Sequence, residues 1–193
     1  MLLETLLEDF PKVIPLKHGL ECQLRPLQAD DESAFHEFFL AVPEQERLFI
    51  KHRVTERELI RDWCQNIDLG RNLPLLAVTS GKIVGCSTLH QHLGGWRRHI
   101  GRVSVLVHPE YRGRGVARSL VKEIIEIAHQ TGLERIEAEF VAEQEAAMKV
   151  FGLLGFTSLV RLPGYVKDMQ ATPHDYVLTA LDLPTDEEYA GAG

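Results

Sequence analysis

The sequence predicts an α/β domain: a mixed, mostly antiparallel twisted sheet of about seven strands flanked by about four helices. Three observations predict it. Short runs of alternating apolar and polar residues recur along the chain, the period of half-buried strands. Apolar residues at helical spacing fill the segments between several of them, bounded by Asp, Gly and Pro. Finally, a hairpin-rich stretch gives way to strand–helix–strand, an order that combines antiparallel with parallel pairing and places helices on the sheet faces.

The elements follow in order. Residues 1–18 form a partly helical extension in which Leu2, Leu3, Leu6 and Leu7 share a face, ended by Pro11 and Pro15. That face fits either a helix packed on its own domain or a homodimer contact. The domain proper spans 19–183. Leu20, Cys22 and Leu24 alternate with polar residues in a first strand that Pro26 stops. Asp30 and Asp31 open a helix running to about Val42. A second is expected from Thr55 to Asp68, with Thr55 and Glu58 as a capping box. Strands are expected at Leu75–Val78 and Lys82–His90 around a Ser80-Gly81 turn, and, after a Gly94-Gly95 loop, at His99–Val107. Gly115 to Gln130 reads as a helix with Val116, Leu120, Ile124, Ile127 and Ala128 inward and Arg118, Lys122 and Glu126 outward. A strand through Ile136, Ala138 and Phe140, a short helix at 143–154, and strands near 156–162 and 176–183 complete the domain. Residues 184–193 read as a flexible acidic tail.

Composition narrows the function. The 193 residues carry a formal charge of -7, so most of the surface repels nucleic acid and anionic membrane. No apolar stretch is long enough to span a bilayer, and Glu4, Glu8 and Asp9 leave the N-terminus without a basic targeting region. A cytoplasmic protein is expected. Cys22, Cys64 and Cys86 lack metal or redox spacing and read as buried small hydrophobes. The histidines show no metal-ligand spacing either, so no metal is expected. A local basic stretch runs from Arg97 to Lys122, with Arg97, Arg98, Arg102, Arg112, Arg114 and Arg118 between them and Glu110 as its only acid.

Within that stretch, Val103 to Ala117 carries the chemistry. A strand feeds a loop holding Gly113 and Gly115, and the loop opens a helix. The first turn of a helix presents unpaired N–H groups and the positive end of its dipole. Glycines let that backbone approach an anion closely. With Arg112, Arg114 and Arg118 alongside, a pyrophosphate is the natural guest. The loop lacks the Lys-Ser/Thr of a nucleoside triphosphatase and the third glycine of a dinucleotide fingerprint.

Arg112-Gly113-Arg114-Gly115-Val116-Ala117 resembles the Arg/Gln-x-x-Gly-x-Gly/Ala motif of the GNAT N-acetyltransferases, and the preceding Val-x-Val-His-Pro-x-Tyr is also typical of them. Ala147, Val150-Phe151 and Leu154-Gly155-Phe156 are similar to a second family pattern, and the element order from about residue 20 to 183 agrees. The resemblance implies a sheet splayed between strands four and five, with acetyl-CoA as cosubstrate in the wedge. It implies that pantetheine pairs with the backbone of Val105, Leu106 and Val107. The pyrophosphate would lie on Gly113, Arg114, Gly115, Val116 and Ala117, with Arg112 and Arg118 nearby. It further implies direct acetyl transfer to an amine, with an oxyanion held by the amide of Val105 or Leu106.

The chain departs from the family in its proton-transfer groups. The usual acid, a tyrosine in the short helix, is Phe151; the asparagine often found one or two turns earlier is replaced by Gln144; and the early strand-four glutamate is replaced by Gly101 and Arg102. His99, Glu139 and Tyr165 are the substitutes expected to be catalytic, with Glu137, His90 and His92 as further candidates. The acceptor, a small-molecule or peptide amine, is expected between the first two helices, the loop around Gly94–Arg98 and a Pro163–His174 loop, with Trp63 and Trp96 as candidate linings. Two alternatives stay open: a CoA-binding sensor that has lost catalysis, and a protein-lysine or N-terminal acetyltransferase.

Overall fold

The computed structural model describes residues 3–50 and 52–184. Eight strands form one sheet among them: β1 (Lys12–Pro15), β2 (Glu21–Pro26), β3 (Asn72–Thr79), β4 (Lys82–Gln91), β5 (Ile100–Val107), β6 (Arg135–Val141), β7 (Thr157–Lys167) and β8 (Pro173–Asp182). Their order across the sheet is β1-β2-β3-β4-β5-β6-β8-β7. Every pairing is antiparallel except β5 with β6. Seven of these strands are those the alternation predicts. The eighth comes from the N-terminal extension, where Pro11 and Pro15 bracket a short strand rather than simply ending a helix. β1 pairs with β2, and Lys12 bonds Glu123 on the central helix. Prolines are tolerated here because β1 lies at the sheet edge, where an N–H can be spared.

The helices are α1 (Leu3–Leu7), α2 (Glu32–Ala41), α3 (Glu44–Arg47), α4 (Arg57–Gln65), α5 (Val116–Gln130) and α6 (Glu145–Leu153). The capping box expected at Thr55 and Glu58 is absent: Glu56 is the N-cap of α4 and no side chain caps it. The reciprocal box forms instead between Gln28 and Asp31, ahead of α2. Asp31, buried, also takes a bidentate bond from Arg25 at 2.6 and 2.7 Å, which compensates its burial. The short α3 went unpredicted, since four residues are too few for a periodic signal.

Two cores clamp the sheet. On one face, α5 buries its predicted stripe of Val116, Leu120, Ile124, Ile127 and Ala128 against Leu75, Val84, Val103, Ile136 and Ala138. On the other, Phe35, Phe38, Phe39, Ile60 and Cys64 of α2 and α4 pack on Leu76, Ile83 and Cys86. All three cysteines are free and buried, and burial pushes each thiol up, Cys86 to about 12. Gly85 seats the start of α5: a β-carbon there would stand 2.6 Å from Val116 and 2.9 Å from Leu120. The helix thus lies directly on β4, and its N-terminus is held at the end of β5. The β7–β8 hairpin is longer than expected. Strand continues through Lys167 and resumes at Pro173, so the predicted 163–174 loop shrinks to a turn, with the pairing irregular around Pro163–Tyr165.

Candidate active site

β5 and β6 run parallel but pair over three positions only, Ile100 with Arg135, Gly101 with Ile136 and Arg102 with Glu137. Beyond Arg102 the strands part, while β5 stays paired to β4 as far as Val107. Backbone bonding alternates sides along a strand. His108 N–H donates to Val84 of β4, so residues of the same parity, Leu106 and Ser104, direct their amides toward β4. Val103, Val105 and Val107 direct theirs into the fork. The Val107 carbonyl bears this out, lying 3.4 Å from the Arg112 guanidinium on the open side.

The fork leads into the glycine loop. Gly113 and Gly115 adopt φ of +74° and +93°, the left-handed region that favours glycine, and space around both is open. Gly115 is the N-cap of α5 and no side chain caps the helix, so its first-turn amides face outward. Arg114 lies over the Tyr111 ring at 5.1 Å and its carbonyl accepts from Lys17 of the extension. The turn before the loop is built by His108. It is 5% exposed, accepts from the Glu110 amide, and is held below its ordinary pKa chiefly by burial. A pyrophosphate fits this cradle: uncapped amides, open space beside two glycines, and exposed Arg118 in the first turn of the helix.

The basic stretch is not one patch. Arg112 bonds both oxygens of Glu46 on α3 at 2.8 and 2.7 Å, Arg97 bonds Glu137 at 2.8 Å, and Arg102 bonds Glu139 at 3.1 Å. The three pairs draw on carboxylates far away in sequence, so adjacency along the chain overstated the free charge.

At the crotch of the fork a cleft of about 490 Å³ opens on the sheet face opposite α5, lined by Trp96, Arg97, Ile100, Glu137, Glu139, Tyr176 and Leu178. Glu137 and Glu139 project there because Ile136, Ala138 and Phe140 take the opposite, buried face. Tyr176 of β8 donates to Glu139 Oε1 at 3.1 Å, and its ring lies 5.7 Å from that of Tyr165 on β7. Trp96, 89% exposed, stands on the rim. The structure therefore brings Glu137 and Glu139 together with Tyr165 at the edge. It places His99 and His92 elsewhere, in a second cleft with Thr131–Glu134. His90 bonds Asn72 on β3 at 2.7 Å. Trp63 packs edge-on to Phe39 and His52 in the α2–α4 core, away from the cleft. Arg97 falls in the Gly94–Arg98 loop expected to line the acceptor site, whereas Tyr176, Ile100 and Leu178 were not singled out from sequence. Tyr176 and Leu178 share a strand face, but only the register with β6 puts that face beside the two glutamates.

The departures from the family have structural causes. A β-carbon at Gly101 would meet Leu133 at 2.8 Å and Leu89 at 2.9 Å, so that position is filled by core and excludes a glutamate. Phe151 is 1% exposed, edge-on to Phe140 and Phe156. Gln144 accepts from the Val141 amide and caps β6. None of the three residues lines the cleft.

Comparison with known proteins places this geometry. Residues 24–156 match the acetyltransferase (GNAT) family, and the chain belongs to it. Among relatives, the L-amino acid N-acyltransferase MnaT of Escherichia coli K12 is 30% identical over 84 residues, covering 41% of the chain and 49% of that protein. The N-alpha-acetyltransferase MAK3 of Arabidopsis thaliana is 34% identical over 95 residues, 48% of the chain and 49% of that protein. The chain thus spans about half the length of the curated relatives it matches. Among solved structures, yncA from Salmonella typhimurium, a putative acetyltransferase with its cofactor acetyl-CoA, superposes with a TM-score of 0.71 at 19% identity. That match covers 86% of this chain and 96% of the other, and shows the shared fold. Among the described residues no helix is long and apolar enough to cross a membrane.

Proposed function

We propose that this protein transfers the acetyl group of acetyl-CoA to a primary amine in a ternary complex. One observation carries the reading. β5 and β6 part after three paired residues, and the unpaired edge of β5 leads directly into a glycine loop with an uncapped helix N-terminus. An extended chain ending in a pyrophosphate matches that path, strand edge first and anion cradle last.

Bound acetyl-CoA would supply an acetyl thioester, already activated toward attack. The chain's own groups do the rest. The outward backbone of Val105 and Val107 would pair the pantetheine. The amides of Gly113 to Ala117, with Arg114 and Arg118, would hold the pyrophosphate. The Val105 amide, turned into the fork, is the donor for the developing oxyanion, whereas Leu106 faces β4. Glu137 and Glu139, held by Arg97 and Arg102, offer the amine hydrogen-bond acceptors in the cleft, and Glu139, just beyond the last paired position of the fork, accepts the proton the attacking nitrogen must lose. Tyr165 and Trp96 flank the approach. His99, in the second cleft, takes no part. The acceptor is a primary amine on a small molecule or a peptide.

The test is acceptor-dependent release of free CoA from acetyl-CoA across small amines, amino acids, and peptides bearing lysine or a free N-terminus, with Arg114→Glu as control. Turnover on at least one class is expected, and loss of acetyl-CoA binding in the variant. Binding without turnover on any class would favour a CoA sensor, and no binding would sink the reading.

A further inference from the structure

We propose that Tyr176 is the proton donor to the leaving sulfur, recharged through its hydrogen bond to Glu139. The inference rests on the acetyl-transfer reading above. Its basis is position. Phe151, in the core, offers no proton. Among the residues lining the cleft, Tyr176 alone carries a hydroxyl. It stands opposite Val141, on the part of β6 beyond the fork, and reaches back to Glu139 at 3.1 Å. The other Glu139 oxygen holds Arg102 at 3.1 Å, so the carboxylate is oriented by β5 and β8 together.

The relay balances. The acceptor reacts as the neutral amine, its ammonium proton having gone to solvent; the nitrogen forms a bond to the acetyl carbon and gives the surplus proton this creates to Glu139. The carbon–sulfur bond breaks, and its electron pair stays on sulfur. Glu139, now protonated, reverses its hydrogen bond and donates to Tyr176 Oη as Tyr176 passes its own proton to sulfur. Amide and free thiol leave, and both side chains regain their starting protonation. The net transfer runs from a carboxylic acid to a thiolate, which is downhill. The phenol is pushed up to about 12 by burial and then by Glu139, with Glu137 adding and Arg102 opposing. Tyr176 therefore stays neutral between turnovers.

The test compares wild type with Tyr176→Phe, Glu139→Gln and the double variant. Tyr176→Phe keeps the ring and so its packing. The expected result is a fall in kcat on the order of 100-fold for each single relay variant, with acetyl-CoA affinity and thermal midpoint unchanged in Tyr176→Phe. The double variant should be no slower than the worse single, because groups that act as a unit are not additive. Independently of turnover, the phenol that Tyr176→Phe removes from an absorbance titration should titrate lower in Glu139→Gln. Tyr176→Phe at wild-type kcat, or a double variant showing the product of the two losses, would overturn the relay alone. Absence of turnover in wild type would instead overturn the transfer reading, and the relay with it.

Discussion

Arg112, the first residue of the glycine-loop motif, binds both carboxylate oxygens of Glu46, at 2.8 and 2.7 Å, on a helix 66 residues earlier in the chain. The contact ties α3 to the loop. On its other side the same segment reaches the β7–β8 turn, where Leu48 accepts from the Met169 amide and Phe49 stacks edge-on to His174 at 4.9 Å. Residues 44–50 therefore bridge from the loop after β5 to the hairpin beyond β6, the two sides of the fork.

The Glu46 carboxylate offers Arg112 the same bidentate geometry that a phosphate would. Glu46→Gln is expected to cost less than about 1 kcal/mol of stability, since both side chains are about 40% exposed and such pairs contribute little. It is expected to tighten acetyl-CoA a few-fold by removing a competitor for the guanidinium, measured by titration calorimetry. Weaker binding would show instead that the ion pair positions the loop.

The far anchor of this bridge is pH-dependent. His174 bonds Glu143 at 2.8 Å and Asp168 at 3.1 Å, with Asp175 nearby, and these bonds raise it above its ordinary 6.5. A raised histidine contributes stability in full below pH 6.5 and loses it as pH rises through the raised value. Glu143 and Asp168 are lowered by the same bonds, and their contribution disappears as pH falls through those lowered values. Wild type should therefore exceed His174→Gln in thermal midpoint most clearly between about pH 4.5 and 6.5, with the gap closing toward alkaline pH. A gap constant across that scan would show that the imidazole acts by packing on Phe49 alone.

Restoring the family's proton-transfer residues at their usual positions should fail. Gly101→Glu would drive a carboxylate between Leu133 and Leu89 and is expected to cost about 3 kcal/mol or more. Phe151→Tyr would bury a hydroxyl between two aromatic rings, a cost of about 1–3 kcal/mol if it finds no partner. Neither should raise kcat. Chemical denaturation and steady-state kinetics on the two variants check this, and a gain in turnover from either would contradict the assignment of these positions to the core.

Much of this was legible in the sequence because it is local. The stripe of α5 was read correctly because each member is set by a 3.6-residue period and one buried face. The positive-φ turn at Ser80-Gly81 and the Gly113–Gly115 loop were readable because backbone conformation restricts residue type. β1 was missed because four residues carry no periodic signal and two prolines argued against a strand. α4 began later than expected because a Thr-x-x-Glu pattern records only the capacity for a capping box.

By itself, then, the sequence determined the order of seven strands and the longer helices, the buried face of most of them and the glycine loop at the start of α5, all consequences of short-range sterics and patterning. Only the tertiary structure decided which charges are free and which side chains meet. Three arginines of one basic stretch are each taken by a carboxylate at least 37 residues away. Tyr176 reaches Glu139 only through the β6–β8 register. Ion pairs and cross-strand neighbours depend on distance in space, and a chain that returns antiparallel past its own earlier strands sets those distances by register, which no local pattern encodes.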